Sequence, residues 1–340
     1  MKEGNHIKIY HWLLPIAWLY GLGVRVRNKM FDAGLLQSRK LDCPVICVGN
    51  ITVGGTGKTP HTEYLIRLLK ERYRVSTLSR GYKRRTHGFI IADAHSTVAD
   101  IGDEPCQMKR KFPDVIVAVD ADRCHGIEQL MSLDEQSKPE VVLLDDAYQH
   151  RYVKAGLNML LMDFHRVTYK DQLLPAGRLR EPHAGIRRAD LVVVTKCPSD
   201  MTDEDMGSIA HSLGLSKHQK LFFTRYAYPK QLNAGERPVL LTGIASPQQM
   251  LEDMRRMVPD VQLLSFPDHH NFTQEDLNRI RQETQGRTIL TTEKDFTRLH
   301  GLDNVVVVPI EVQFVGNSKE DFDNTILNYV RLSLHENNKE

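Results

Sequence analysis

Pro44-Val-Ile-Cys-Val48 is a short apolar run. A glycine-rich turn follows it, Val53-Gly54-Gly55-Thr56-Gly57-Lys58-Thr59, and then an amphipathic stretch from His61 to Arg72. The order predicts strand, loop, helix. A turn of this kind points several backbone N–H groups at one place, and the helix N-terminus adds positive potential there, so the loop is suited to hold phosphates. Lys58 is placed to reach the β and γ phosphates, and Thr59 to offer its hydroxyl to Mg²⁺. The strict pattern wants glycine five residues before Gly57. This chain has Thr52 there, with Gly54 and Gly55 supplying the flexibility.

Working outward, further β-branched runs recur at Val75–Leu78, Val115–Val119, Val141–Leu144, Asn158–Met162 and Leu191–Val194. Short apolar strands separated by helical or loop segments predict a mainly parallel sheet covered by helices, so the class is α/β of the P-loop NTPase type. The pattern pauses at Phe222–Tyr226 and a polar stretch, then restarts at Val239. A second, smaller α/β domain is expected, with strands at Val239–Thr242, Val261–Ser265, Thr288–Thr291 and Val305–Pro309 and helices at Pro247–Met257 and Thr273–Gln282. The expected division is residues 1–30 as an N-terminal membrane-interface helix, 31–225 as the P-loop domain and 226–340 as the smaller domain, with a frayed tail from His335.

At 340 residues, with 41% hydrophobic and 26% charged side chains, the composition is that of an ordinary globular protein. A formal net charge of +2 is too mild for a nucleic-acid binder. Cys43, Cys47, Cys106, Cys124 and Cys197 form no paired framework and are read as buried free thiols in a reducing compartment. Residues 12–24 carry no charge. As a helix they would span only ~20 Å at ~1.5 Å per residue, short of the ~30 Å hydrocarbon core. Trp12, Trp18, Tyr10 and Tyr20, with Arg25, Arg27 and Lys29 behind them, suit a helix lying in a membrane interface; packing on its own domain is the alternative.

Chemistry beside a phosphate loop needs a carboxylate for the metal at the end of a neighbouring strand. Val141-Val-Leu-Leu-Asp145-Asp146 supplies two, with Asp145 preferred. Thr195-Lys196-Cys197-Pro198-Ser199-Asp200 approaches the guanine-reading pattern with its acid one residue late, which favours ATP over GTP. For deprotonating an acceptor hydroxyl the segments to weigh are Gly102-Asp103-Glu104-Pro105, whose aspartate before Glu-Pro reads as a loop or turn, Tyr148-Gln149-His150 and Asp268-His269-His270. Arg80, Arg123, Arg178 and Arg180 could clamp phosphate.

Taken in order, Val48–Pro60, Leu78-Ser-Arg-Gly-Tyr82, Gly102–Pro105, Asp122-Arg123, Leu144-Asp-Asp-Ala-Tyr-Gln-His150, Leu174–Pro182, Asp268-His-His-Asn-Phe272 and Thr291-Thr-Glu-Lys-Asp295 resemble the tetraacyldisaccharide 4′-kinase family of lipid A biosynthesis. Ala147-Tyr148 departs from the Gly-Phe usual in that family. The resemblance implies transfer of the ATP γ-phosphoryl group to the 4′-hydroxyl of an acylated glucosamine disaccharide 1-phosphate at the cytoplasmic face of the bacterial inner membrane, by a peripheral or monotopic protein. It implies Asp103 as the acceptor base with His269 as its partner, the two brought together by closure of a cleft, and Asp145 and Asp146 near Mg²⁺. Lys58 and Arg123 join the catalytic set. Val53 to Thr59, Gln149 and His150 would hold the nucleotide, and Arg80, Arg180 and Glu181 would line the site. Two other readings share the loop: a GTPase of the metal-chaperone type, which would need a metal-ligand cluster, and a non-catalytic nucleotide sensor.

Overall fold

The computed structural model describes residues 8–244, 247–268, 270–299 and 301–337. In chain order the strands are β1 (Val45–Gly49), β2 (Val75–Ser79), β3 (Ile90–Ile91), β4 (Ile116–Val119), β5 (Val141–Asp145), β6 (Leu157–Asp163), β7 (Leu191–Thr195), β8 (Lys220–Ala227), β9 (Val239–Thr242), β10 (Gln262–Ser265), β11 (Ile289–Thr292), β12 (Val305–Val308) and β13 (Glu311–Phe314). The helices are α1 (Leu14–Asp32), α2 (Lys58–Lys70), α3 (Val98–Ile101), α4 (Asp103–Lys111), α5 (Arg123–Met131), α6 (Asp203–Leu213), α7 (Pro247–Met257), α8 (Gln274–Thr284), α9 (Glu293–Phe296) and α10 (Lys319–Asn337).

The larger sheet has the order β13-β8-β7-β6-β1-β5-β2-β4-β3. Parallel registers join β4, β2, β5, β1, β6, β7 and β8, and β3 runs antiparallel to β4. β1 lies at the switch point of this sheet, because the chain leaves it toward β2 on one side and later returns past it to β6 on the other. In open α/β sheets ligands bind outside the carboxyl ends of strands at such a point.

The alternation of side chains explains why β1 reads as an unbroken apolar run. Ile46 and Val48 enter one core, with Leu65, Ile66 and Leu69 of α2, Met108 of α4 and Phe322, Ile326 and Val330 of α10. Val45 and Cys47 enter the other, with Ile127 and Leu130 of α5 and Leu213 of α6. Both faces are covered, so neither tolerates a polar row.

The chain forms two compact units, Met1–Tyr226 with Val312–Glu340, and Ala227–Glu311. The expected second domain, 226–340, is therefore longer than the second unit, since the last residues return to the first. Phe222–Tyr226, expected as a pause, is the heart of strand β8, and Phe222 packs edge-on against Phe314 and Phe322. A single sequence window could not show this, because the aromatic partners of that strand lie about ninety residues further on.

The second unit is a parallel sheet of order β10-β9-β11-β12. One of its cores contains Met250, Leu251 and Met254 of α7, another Ile280 of α8. All five cysteines are buried and free. No helix among the described residues is long and apolar enough to cross a membrane.

Candidate active site

The loop after β1 is braced on every side. A Cβ on Gly49 would stand 2.6 Å from the Cβ of Tyr148, so the strand end tolerates glycine alone without displacement. Asn50 is fully buried; its amide donates to Thr56 Oγ1 at 2.6 Å, its carbonyl accepts from Gln149 Nε2 at 2.7 Å, and its Oδ1 accepts from Arg180. Ile51 to Val53 then runs extended against residues 178–180: Arg180 N–H donates to Ile51 O and Val53 N–H to Arg178 O, each at 2.8 Å, around an antiparallel bridge between Thr52 and Leu179. This accounts for the threonine in a glycine position. The positive φ values fall at Gly54 (105°) and Gly57 (87°), and Thr52 does not share them.

Two contacts that the sequence did not disclose hold the far half of the loop. His61, in the first turns of α2, is buried. Its Nδ1–H donates to Gly57 O at 2.7 Å, since a carbonyl can only accept, which leaves Nε2 to accept from Thr224 Oγ1 at 3.0 Å. Burial pushes the His61 imidazole down to about 4, so it is neutral. Thr195 Oγ1 donates to Thr56 O at 2.9 Å, and Lys196 forms a buried ion pair with Asp163 at 2.7 Å. The stretch that approaches a guanine-reading motif is thus engaged in bracing the loop.

Asp145 ends β5 in register with Val48, beside the start of the loop. It is buried, accepts from Thr62 Oγ1 at 3.4 Å, and its carboxyl is raised first by desolvation and then by the charge of Glu104, against the pull of Lys58. A buried carboxylate at the end of the strand beside the phosphate loop is an oxygen donor of the kind that suits Mg²⁺. Asp146, with φ of 49°, turns the other way. Burial alone would raise it, but Lys58 at 3.7 Å, Arg180 at 2.8 Å and the charge of Arg123 hold it at about 2.

Asp103 was expected in a loop; it is the first residue of α4, with Pro105 in the first turn, where its missing N–H costs no helical bond. Gly102 precedes it at φ 92°, and a Cβ there would lie 2.8 Å from Tyr82 O, so Gly102-Asp103 packs on the Ser79–Tyr82 segment carrying the exposed Arg80. Arg123 is buried at the start of α5 and donates to Ala121 O at 2.9 Å. Gln149 and His150 follow the aspartates. Glu181 is buried, with Oε2 spent on Arg188 at 2.8 Å and on Asn28 of α1 at 3.2 Å, so that oxygen joins elements of the scaffold. His269 lies outside the described residues.

Asp122, Cys124 and His150 bring their ligand atoms within 4.8 Å of one another. Asp122 already caps α5 through the N–H groups of Cys124 and His125, and burial together with Arg123, Arg27 and Arg80 presses the His150 imidazole down to about 4. That cationic surrounding disfavours a further cation.

A phosphate loop at the switch point, a buried carboxylate at the end of the adjacent strand and two arginines around them define a P-loop phosphotransferase. Residues 9–331 match the family model for tetraacyldisaccharide-1-phosphate 4′-kinase, and the chain belongs to that family. It is 48% identical to the tetraacyldisaccharide 4′-kinase of Phocaeicola vulgatus, over 99% of both chains, and 49% identical to that of Bacteroides fragilis, over 97% of this chain and 95% of the other. Among solved structures, LpxK from Aquifex aeolicus, determined in complex with ATP, superposes with a TM-score of 0.74 at 32% identity, covering 94% of this chain and 99% of that one.

Proposed function

We propose that Asp103 takes the proton from the acceptor hydroxyl while Lys58 and the loop amides hold the ATP phosphates, and that this happens on a membrane surface. The activity itself is that of the family: an ATP-dependent kinase forming the 4′-phosphate of a tetraacyldisaccharide 1-phosphate in lipid A biosynthesis. The observation that carries the assignment of roles is that Gly102, next to Asp103, packs on Tyr82 just after β2, and β2 pairs with β5, the strand that ends in Asp145, so α4 starts at the same sheet edge as the donor carboxylate. Phosphoryl transfer asks mainly for positioning and charge neutralisation. Thr59, Asp145 and Asp146 would hold Mg²⁺, which offsets charge on the phosphate oxygens when bound. Arg180, fixed by Asn50 and Asp146, stands where a guanidinium can stabilise the transferred group. Arg123 contributes charge from a buried position. For His269 we propose a role on the acceptor side, to be tested by His269→Asn.

The membrane reading is supported by α1. Ala17 and Gly21 form a narrow buried seam, with Leu173 filling the place of a Gly21 side chain, while Trp18 (62% exposed), Leu19 (62%) and Ile16 (53%) face outward, as does Trp12 (77%) in the 3-10 turn that leads into the helix. So much exposed apolar surface beside Arg25, Arg27 and Lys29 suits the headgroup boundary of an anionic membrane. The same helix touches the site: Tyr20 Oη–H donates to Arg180 O at 2.8 Å and Arg27 to Gln149 O at 2.8 Å. A helix seated at the lipid surface would thereby keep the site within reach of an acceptor anchored by acyl chains, and we place the protein at the cytoplasmic face of the inner membrane.

The test is incubation with ATP, Mg²⁺ and a panel of acylated glucosamine disaccharides, with products followed by mass spectrometry. One phosphoryl group added at the 4′ position is expected. Phosphate appearing only as free inorganic phosphate would overturn the acceptor assignment.

A further inference from the structure

Two helices of the first unit start at the same edge of the sheet. α2 leaves the carboxyl end of β1 with Lys58 and Thr59 in its first turn; α4 opens with Asp103 and returns the chain to the start of β4, which belongs to the same parallel set. With helical spacing of three to four residues per turn, Thr59, Glu63 and Arg67 share one face of α2, and Asp103, Gln107 and Lys111 share one face of α4.

These two faces are joined at Glu63. Its side chain is almost wholly buried, which is rare for glutamate. Oε1 accepts from Gln107 Nε2 at 2.9 Å, and Oε2 pairs with Lys111 at 2.6 Å and with Arg67 at 3.3 Å. Burying a carboxylate is costly unless its charge is met with good geometry, so the joint is specific: α4 cannot rotate or slide along α2 without uncovering it. Gln107 is one turn below Asp103, and Glu63 one turn below Thr59.

We infer that Glu63 is a positioning residue for phosphoryl transfer, locking the helix that carries the acceptor base in register with the helix that carries the donor phosphates. Glu63 acts through Asp103 and Thr59. The inference rests on the reading of Asp103 as the base.

The experiment measures kcat with an acylated disaccharide, and ATP affinity separately, for Glu63→Gln, Gln107→Met and Asp103→Asn, and for each of the first two combined with the third. Misplacement of a reacting group by about 1 Å costs on the order of 10²-fold. A fall in kcat of ~10- to 100-fold is expected for Glu63→Gln and for Gln107→Met, with ATP affinity within about 3-fold of the parent. Each double variant should be no slower than Asp103→Asn alone, because residues acting as one unit are not additive. Gln107→Met leaves no new buried charge unpaired and serves if Glu63→Gln fails to fold. Near-normal kcat in both variants, a loss confined to ATP affinity, or losses that multiply in the doubles would overturn the inference. Near-normal turnover of Asp103→Asn by itself would remove its premise, and is read separately.

Discussion

Acidification should loosen the phosphate loop through one histidine. His61 is buried and neutral, at about 4 against an ordinary value of 6.5, and the cause is desolvation, with its bond to Gly57 O pulling the other way. The unfolded chain therefore binds this proton more tightly than the folded one. The contribution of His61 is complete above about pH 6.5 and is lost as the pH falls toward 4. The full difference, 6.5 minus 4, is about 2.5 pKa units, or about 3 kcal/mol at ~1.36 kcal/mol per unit. Between pH 7 and pH 5 the loss is roughly 2 kcal/mol. Because the chain has two units, the measurement should be local: hydrogen exchange by mass spectrometry on peptides covering β1 and α2, at both pH values and corrected for intrinsic rates. His150 is pressed in the same direction, so the comparison is with His61→Gln, which does not titrate. The parent should lose roughly 2 kcal/mol more opening free energy than the variant between those pH values. Equal losses in the two proteins would refute the argument.

Asp103→Asn is expected to lower turnover by ~10²- to 10⁴-fold, the usual worth of a general base, with nucleotide affinity little changed; steady-state kinetics and equilibrium ATP binding check the two halves. Trp12→Ser combined with Trp18→Ser should weaken sedimentation with anionic vesicles by at least ~10-fold, given roughly 1.5–3 kcal/mol for burying one large apolar side chain, while ATP binding in solution stays the same; unchanged sedimentation would favour a helix that merely packs on its domain. In the second unit, Asp295 is fully buried and accepts from Gly243 N–H at 2.9 Å, Thr292 Oγ1 at 2.8 Å and Arg298 at 2.6 Å. Asp295→Ala should destabilise that unit by about 3–5 kcal/mol, because it breaks a buried ion pair and removes the acceptor of the Gly243 amide; thermal unfolding measures the effect.

How much of this was legible in the chain depends on how local each feature is. Val45 to Thr59 announced strand, turn and helix because alternation, glycine and helix start are properties of neighbouring residues, and Asp145 followed because a strand end is recognisable by itself. Asn50, His61 and Thr195 gave no comparable signal: their partners are Arg180, Thr224 and Thr56, and in isolation an asparagine after a strand or a histidine in a helix has many uses. Asp103 was singled out through its Gly-Asp-Glu-Pro surroundings, yet the proline suggested a turn, and only the built helix shows proline in the first turn beside a helix-starting aspartate.

The sequence by itself determined the α/β class, the phosphate loop, the family and the apolar run near the N-terminus, since each rests on spacing along the chain. Tertiary structure decided that Thr52 replaces glycine because residues 51–53 pair with 178–180, that the last residues belong to the first unit, and that Glu63 joins α2 to α4. Those are contacts between segments far apart in sequence. Their energies come from burial and hydrogen bonding in the folded chain, where a charge such as that of Glu63 persists only because the partners that meet it have been brought from elsewhere.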